Sequence, residues 1–123
     1  QRLLQGALDF LHAKKIPRTR VALRWVSGSF ELPLAALKMA QSKRYRFVTA
    51  VGCIVEGQTE HFRHLSQATL QGLMMAGLMS GIPVTCGVIT VRNWRQALER
   101  SQKKGTNRGR EAVSAAWQLA QRV

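Results

Sequence analysis

The stretch FVTAVGCIVEGQTEHF, residues 47–62, joins an apolar run to a short polar segment, and this junction decides the fold class. Residues 47–55 are almost continuously apolar, which is typical of a strand buried on both faces of a parallel sheet. Ligands of open parallel sheets bind beyond the carboxyl ends of the strands, where the polar segment GQTEHF falls. The junction therefore predicts a parallel α/β sheet with a ligand site at the end of this strand.

The rest of the chain predicts an alternation of helices and strands. Residues 20–25 alternate between apolar and more polar side chains, as in a strand with one wetter face, and residues 84–90 form a second buried run. Apolar spacing predicts helices over residues 2–15, 31–41, 61–80, 93–103 and 109–122. Every strand is followed by a helix, which predicts a single domain over residues 1–123 with a three-layer, doubly wound parallel α/β sheet.

The longest predicted helix, over residues 61–80, is expected to bury one stripe of its surface. Helical spacing places on that stripe Leu65, Ala68, Thr69, Gly72, Met75 and Met79. The methionines are expected in the core or at a subunit interface.

The number of strands is low for a fold of this class. The chain opens on a helix and supplies three predicted strands, fewer than such sheets normally contain. We expect a further strand, either from a segment upstream of Gln1 or from a partner.

The charge balance indicates an anionic environment. Nineteen Lys and Arg residues against six Asp and Glu give a net charge of +13, and the basic residues cluster along the chain. A solvated face explains any one cluster, whereas the scarcity of acids over the whole chain favours contact with a polyanion such as RNA. Arginine outnumbers lysine 13 to 6, which suits bidentate phosphate contacts.

The cysteines and the termini indicate a cellular compartment. Cys53 and Cys86 both lie inside apolar runs, which predicts two buried thiols in a reducing compartment rather than a disulfide or a metal site. No apolar run approaches the ~20 residues of a membrane helix, and the first residues show no signal-peptide pattern. We expect a protein of the cytoplasm, or of the matrix of a mitochondrion or the stroma of a plastid, and not a secreted or membrane protein.

Three polar loops are expected at the carboxyl edge of the sheet, the third after Thr90, and the first two could carry chemistry. In the first loop, Ser29 can cap the following helix and Glu31 falls in the first turn, where a carboxylate is favoured; alternatively, Phe30 and Glu31 suit a flat heterocycle that carries N–H donors. In the second, backbone N–H groups at a helix start and Thr59 can hold a phosphate. His61 is either merely exposed or placed to exchange protons with what binds there.

Several segments resemble lumazine synthase, the riboflavin-pathway enzyme that makes 6,7-dimethyl-8-ribityllumazine. They are GSFELPLAALKMAQ, AVGCIVEGQTEHF, SGIPVTCGVIT, QALER and GTNRGREAVSAAWQLA, and they occur in the family's order over roughly residues 3–120. The resemblance implies a flavodoxin-like subunit that assembles as a homopentamer or a larger shell, with active sites between neighbouring copies. It also implies a transferase without metal or organic cofactor, which condenses 5-amino-6-ribitylamino-uracil with 3,4-dihydroxy-2-butanone 4-phosphate.

The resemblance implies roles for individual residues. The pyrimidine and its ribityl chain are held by Ser29, Phe30 and Glu31, and the heterocycle also contacts the backbone of Ile54 and Val55. The phosphate is bound by Gly57, Gln58, Thr59 and Arg100, while Arg108 stands where the family usually has a lysine. His61 matches the proton-transfer residue, and Cys86 stands at the wall of the ring pocket, where an aromatic residue is common.

Departures from the family pattern leave a second hypothesis open. Glu56 replaces a basic residue beside the phosphate loop, which would repel a dianion by about 1 to 4 kcal/mol at contact distance. The family's first strand, which lies inside the sheet and is followed by an aromatic residue that stacks on the pyrimidine, would precede Gln1. The alternative function is a catalytically decayed relative that serves as a basic structural subunit of a ribonucleoprotein, such as an organellar ribosome, with RNA and protein subunits as partners.

Overall fold

The computed structural model describes residues 1–56 and 61–123, in which two of the three predicted strands form and are flanked by helices. Two 3-10 turns cover Arg18–Arg20 and Ser29–Glu31. The longer elements, in chain order, are helix α1 at Arg2–Ala13, helix α2 at Leu32–Gln41, strand β1 at Val48–Val55, helix α3 at His61–Ser80, strand β2 at Val84–Val91, helix α4 at Trp94–Glu99 and helix α5 at Arg108–Arg122. Within the described ranges no helix is both long enough and apolar enough to cross a membrane.

Strands β1 and β2 pair in parallel, in register from Val48 opposite Val84 to Val55 opposite Val91. Side chains alternate between the two faces of the pair, and both faces are covered by helices. On one face, α2 and α3 pack on a cluster that contains Ala36, Ala40, Val48, Ala50, Leu73 and Ala76. On the other face, α1 and α5 cover the pair through clusters that contain Leu3, Ala7, Leu11, Ile89, Val91 and Val113. Helices on both faces of parallel strands define the α/β class that the sequence predicts.

The segment over residues 21–26 does not form the strand that its alternation predicts. Val21 has extended backbone angles (φ −112°, ψ 119°), but the described part of the chain forms only the two-stranded sheet of β1 and β2. A groove of about 770 Å³ is lined both by residues 21–26 and by residues 44–51, which include the start of β1. A strand pairs its backbone groups with a neighbouring strand about 4.8 Å away. Beside residues 21–26 the groove occupies the position of that neighbour. The further strand expected from the sequence stays a prediction.

Helix α3 buries only part of the stripe that the sequence predicts. Its buried residues are Thr69, Leu73 and Ala76, whereas Met75 and Met79 are 57% and 64% exposed. The reason is the close approach of α2, since a Cβ atom on Gly72 would lie 2.6 Å from Cγ of Pro33. Small side chains suit that contact, and the long methionines turn outward.

The two cysteines also differ in environment. Cys86 on β2 is half-buried, but Cys53 on β1 is exposed, so the prediction of two buried thiols is wrong for Cys53. An apolar run predicts a strand reliably, but it does not show which positions the neighbouring elements leave uncovered.

Helices α1 and α5 run in the same direction and meet closely at their first turns. A Cβ atom on Gly109 would overlap the carbonyl oxygen of Leu3 and lie 2.7 Å from its carbonyl carbon, so only glycine permits this contact. Further along the pair, the rings of Phe10 and Trp117 meet edge to face with centroids 6.2 Å apart. The start of α5 is therefore fixed beside the start of α1, near the carboxyl ends of the strands.

Candidate active site

The loop between α4 and α5 brings two arginines together at the carboxyl edge of the sheet. Helix α4 begins after Asn93, whose side-chain oxygen accepts a hydrogen bond from the backbone N–H of Gln96 at 3.0 Å. The helix ends at Glu99, four residues earlier than the sequence predicts, because the chain turns back on itself there. The backbone N–H of Arg108 donates to the carbonyl oxygen of Arg100 at 2.9 Å, which places the two residues side by side.

Asn107 closes this loop from inside. Only 2% of its surface is exposed. Its side-chain nitrogen donates to the carbonyl oxygens of Arg2 at 3.0 Å and Gln102 at 3.2 Å, and its side-chain oxygen accepts from the backbone N–H of Arg110 at 3.0 Å. The side chain therefore caps α5, closes the loop and ties both to α1. Sequence analysis did not select Asn107, although an asparagine just before an amphipathic helix is a recognisable cap signal.

The paired arginines line a small cavity of about 250 Å³. Its lining consists of Cys86, Val88, Ile89, Thr90, Arg100 and Arg108. One guanidinium nitrogen of Arg100 donates to the carbonyl oxygen of Thr90 at 2.9 Å, which anchors the half-buried side chain. A guanidinium carries five N–H donors, so this bond leaves most of them for an anion. Arg108 also pairs with Glu111 at 3.3 Å in an exposed position. Two cations at one cavity favour an anionic ligand, and phosphate in particular.

Cys86 contributes no negative charge to this cavity. Burial raises the pKa of the Cys86 thiol above its ordinary value, and a hydrogen bond with the backbone of Val88 opposes this less strongly. The thiol is therefore protonated at neutral pH and acts as a small wall of the cavity rather than as a nucleophile.

Glu56 lies at the same edge of the sheet, next to a basic residue. Its backbone N–H continues the strand pairing by donating to the carbonyl oxygen of Val91 at 2.8 Å. Its carboxylate lies 4.0 Å from Nε of Arg92, in an exposed ion pair. Such a pair contributes little to stability, but it places a positive charge beside the carboxylate of Glu56.

The first polar loop lies on the α3 side of the sheet and does not line the cavity. Ser29, Phe30 and Glu31 form the 3-10 turn before α2, and the ring of Phe30 is 70% exposed. The interpretation of Ser29 as a helix cap is wrong, because the residue before α2 is Glu31 and no side chain caps this helix. The carbonyl oxygen of Ser29 instead accepts a hydrogen bond from Oγ1 of the buried Thr69 at 3.4 Å.

The second polar loop is only partly described. Gly57, Gln58 and Thr59 lie outside the described residues. His61 is the first residue of α3 and is exposed, Ile54 is buried, and Val55 is half-buried at the end of β1. The structure thus brings Cys86, Arg100 and Arg108 together around one cavity. The residues of the first loop, the end of β1 and the start of α3 surround the same edge without lining that cavity.

These features define the protein first as a class: a layered α/β protein with an arginine-lined cavity beside the second of its two described parallel strands. A comparison with protein-family models then gives the particular family. The model of 6,7-dimethyl-8-ribityllumazine synthase matches residues 1–123, and the chain belongs to this family. Membership confirms the resemblance and the flavodoxin-like fold class. It also supports a function in riboflavin biosynthesis as a transferase that acts on small molecules.

Replacing Asn107 by alanine should lower the free energy of unfolding by about 2 to 3 kcal/mol, because a cap is lost and two part-buried hydrogen bonds to carbonyl groups are lost with it. The matched control is Asn93→Ala, which removes only the cap of the exposed helix α4 and should cost about 1 kcal/mol. Urea unfolding followed by circular dichroism measures both values. Equal losses in the two variants would show that the buried contacts of Asn107 add nothing beyond its capping bond.

Proposed function

We propose that the chain condenses 5-amino-6-ribitylamino-uracil with 3,4-dihydroxy-2-butanone 4-phosphate to give 6,7-dimethyl-8-ribityllumazine, with release of phosphate and water. The observation that carries this proposal is the cavity lined by both Arg100 and Arg108 at the carboxyl edge of the sheet. Family membership supports the pathway, and the cavity supplies what the reaction needs most, a binding site for the phosphate that leaves. Incubating the protein with both substrates and following lumazine absorbance tests the proposal directly.

The proposed reaction needs positioning and proton transfer more than a strong nucleophile. An amine nitrogen of the uracil attacks the ketone carbon of the second substrate, and loss of water gives an imine. Phosphate then leaves with its electron pair as a proton is lost from carbon, and closure of the second ring expels another water. Arg100 and Arg108 hold the dianion before and while it leaves, and His61 transfers the protons. The proposed reaction uses no metal or organic cofactor.

The remaining substrate contacts are proposed from the family pattern. The phosphate loop of Gly57, Gln58 and Thr59 would complete the anion site beside Arg100, and Cys86 would form one wall of the ring pocket. The heterocycle would lie against the backbone of Ile54 and Val55 and against the first polar loop of Ser29, Phe30 and Glu31. An aromatic ring that is 70% exposed, as Phe30 is, suits a site that a neighbouring copy completes.

Replacing Arg100 by glutamine should lower kcat/KM by about 10- to 100-fold, because one charge-assisted contact to the phosphate is worth roughly 1.5 to 3 kcal/mol. The loss should appear in the KM for the butanone phosphate and not in that for the uracil. Arg95→Gln, which removes an exposed arginine from helix α4 five residues earlier, is the matched control and should leave both constants unchanged. A similar effect in both variants would contradict a specific phosphate contact.

Replacing His61 by alanine should lower kcat by about 100-fold with little change in either KM, as expected for a group that transfers protons in the transition state. Single-turnover measurements separate this loss from slower product release. His64 lies one turn further along α3 and is also exposed, so His64→Ala controls for a change in helix charge or stability. The proton-transfer role is contradicted if the two alanine variants turn over at the same rate.

We further propose that copies of the chain associate as a homopentamer or a larger shell. A row of apolar side chains one helical turn apart is exposed along α3, and it comprises Leu70, Met74 and Leu78 at 51%, 61% and 76% exposure. Met75 and Met79 extend the same surface. Burying each such side chain against another copy contributes about 1.5 to 3 kcal/mol, which supports association.

Replacing Leu78 by glutamate should shift the protein from the oligomer to the monomer, because a carboxylate would be buried without a partner. Analytical ultracentrifugation measures the mass. The control Leu119→Glu places the same charge on α5, on the opposite face of the sheet, where Leu119 is 44% exposed. A parent protein that is itself monomeric at all concentrations, or an oligomer that survives Leu78→Glu, would rule out this surface as the interface.

A further inference from the structure

Positive charge is concentrated at the amino-terminal edge of the sheet, opposite the candidate active site. Two loops meet there, one over residues 14–20 after α1 and one over residues 42–47 before β1. Ile16 from the first loop and Phe47 from the second pack against the same buried cluster on α1 and α5, which brings the loops together. The loops carry seven exposed basic residues, here called the basic edge: Lys14, Lys15, Arg18, Arg20, Lys43, Arg44 and Arg46.

The charges of the basic edge are not neutralised by nearby acids. The sequence contains no Asp or Glu between residues 10 and 30 or between residues 32 and 55. Over residues 1–56 and 61–123, the ion pairs join Arg92 to Glu56 and Arg108 to Glu111, and none involves the basic edge. Like charges held close together raise the free energy of the folded state, and an anionic partner removes that cost.

We propose that the basic edge binds the phosphate backbone of a single-stranded nucleic acid. Four of its seven cations are arginines, whose planar guanidinium groups bind phosphate oxygens in pairs. Aromatic rings lie beside the cations, as is common where bases stack between backbone contacts. The Arg44 guanidinium lies 5.8 Å from the centre of the Tyr45 ring, and Nζ of Lys14 lies 4.6 Å from that of Trp117.

A membrane surface fits the basic edge less well than a nucleic acid does. Proteins that lie on anionic membranes usually combine basic residues with exposed apolar side chains that enter the bilayer. The large apolar side chains exposed in the described part of the chain, such as Met74, Leu78 and Trp94, all lie outside these two loops. The basic edge therefore offers charge and hydrogen-bond donors without an apolar anchor.

The experiment compares two triple variants of the full chain that each lose three positive charges. The test variant carries Arg20→Gln, Arg44→Gln and Arg46→Gln. The control carries Arg2→Gln, Arg63→Gln and Arg95→Gln, three exposed arginines outside the basic edge. Fluorescence anisotropy with a labelled oligouridylate of about 20 nucleotides, longer than the ~4–16 nucleotides of a typical single-strand site, gives Kd at several salt concentrations. Thermal unfolding verifies that both variants fold.

The parent protein should bind with a Kd that rises steeply with salt. Each neutralised phosphate contributes about 0.7 to the slope of log Kd against the logarithm of the salt concentration. The test variant should bind at least 10-fold more weakly at 0.1 M salt and lose about 2 from the slope, while the control should change by less than 3-fold. Equal weakening in both variants would overturn the proposal in favour of diffuse charge, and a salt-independent Kd would also overturn it.

A second arm tests the competing partner. Vesicles of phosphatidylserine and phosphatidylcholine replace the oligonucleotide, and stronger binding to vesicles than to RNA, lost in the test variant, would overturn the proposal. Lumazine formation should be unchanged in the test variant, because the basic edge lies away from the cavity lined by Arg100 and Arg108. The nucleic-acid proposal and the proposed catalytic function can therefore fail independently of each other.

Discussion

The buried amide of Asn107 is the interaction on which the arrangement of this molecule depends. Its three hydrogen bonds connect the start of α1, the loop after α4 and the first turn of α5. A polar side chain that is 2% exposed is tolerated only when its groups are paired, so the three segments cannot move apart without a cost in free energy. This constraint keeps Arg100 and Arg108 at one cavity. The anion site therefore depends on the hydrogen bonds that hold α1, α5 and the loop after α4 together.

The parallel direction of the strands separates the charged surfaces of the protein. Both strands end at the same edge, where Arg100 and Arg108 lie, and both begin at the opposite edge, beside the loops of the basic edge. The family resemblance favours catalysis, whereas the excess of positive charge favours polyanion binding, and from the sequence these are competing hypotheses. In the structure they concern surfaces at opposite ends of the sheet, so one chain can carry both. The basic character of a family member that acts on small molecules therefore does not argue against its activity.

Local sequence patterns were sufficient to predict an element where the pattern is typical of one kind of secondary structure. The continuous apolar runs predicted β1 and β2 to within a residue or two, and the helix predicted over residues 61–80 has the same bounds as α3. Local sequence patterns failed where the conformation of a segment depends on its contacts with another segment. Residues 21–26 alternate like a strand but lack a pairing partner in the described structure, and the predicted helix over residues 93–103 ends at Glu99 because the loop closed by Asn107 begins there.

The sequence by itself determined the α/β class and the excess of positive charge, which follow from periodicity and composition, and the family, which follows from the resemblance of several segments. Tertiary structure alone decided that Arg100 and Arg108 share a cavity, that Arg92 lies beside Glu56, and that the methionines of α3 face outward. The physical reason is that each of these depends on the distance between segments far apart in the chain. Such distances are set by close contacts, such as that of Gly109 with Leu3, which leave no periodic trace in the sequence.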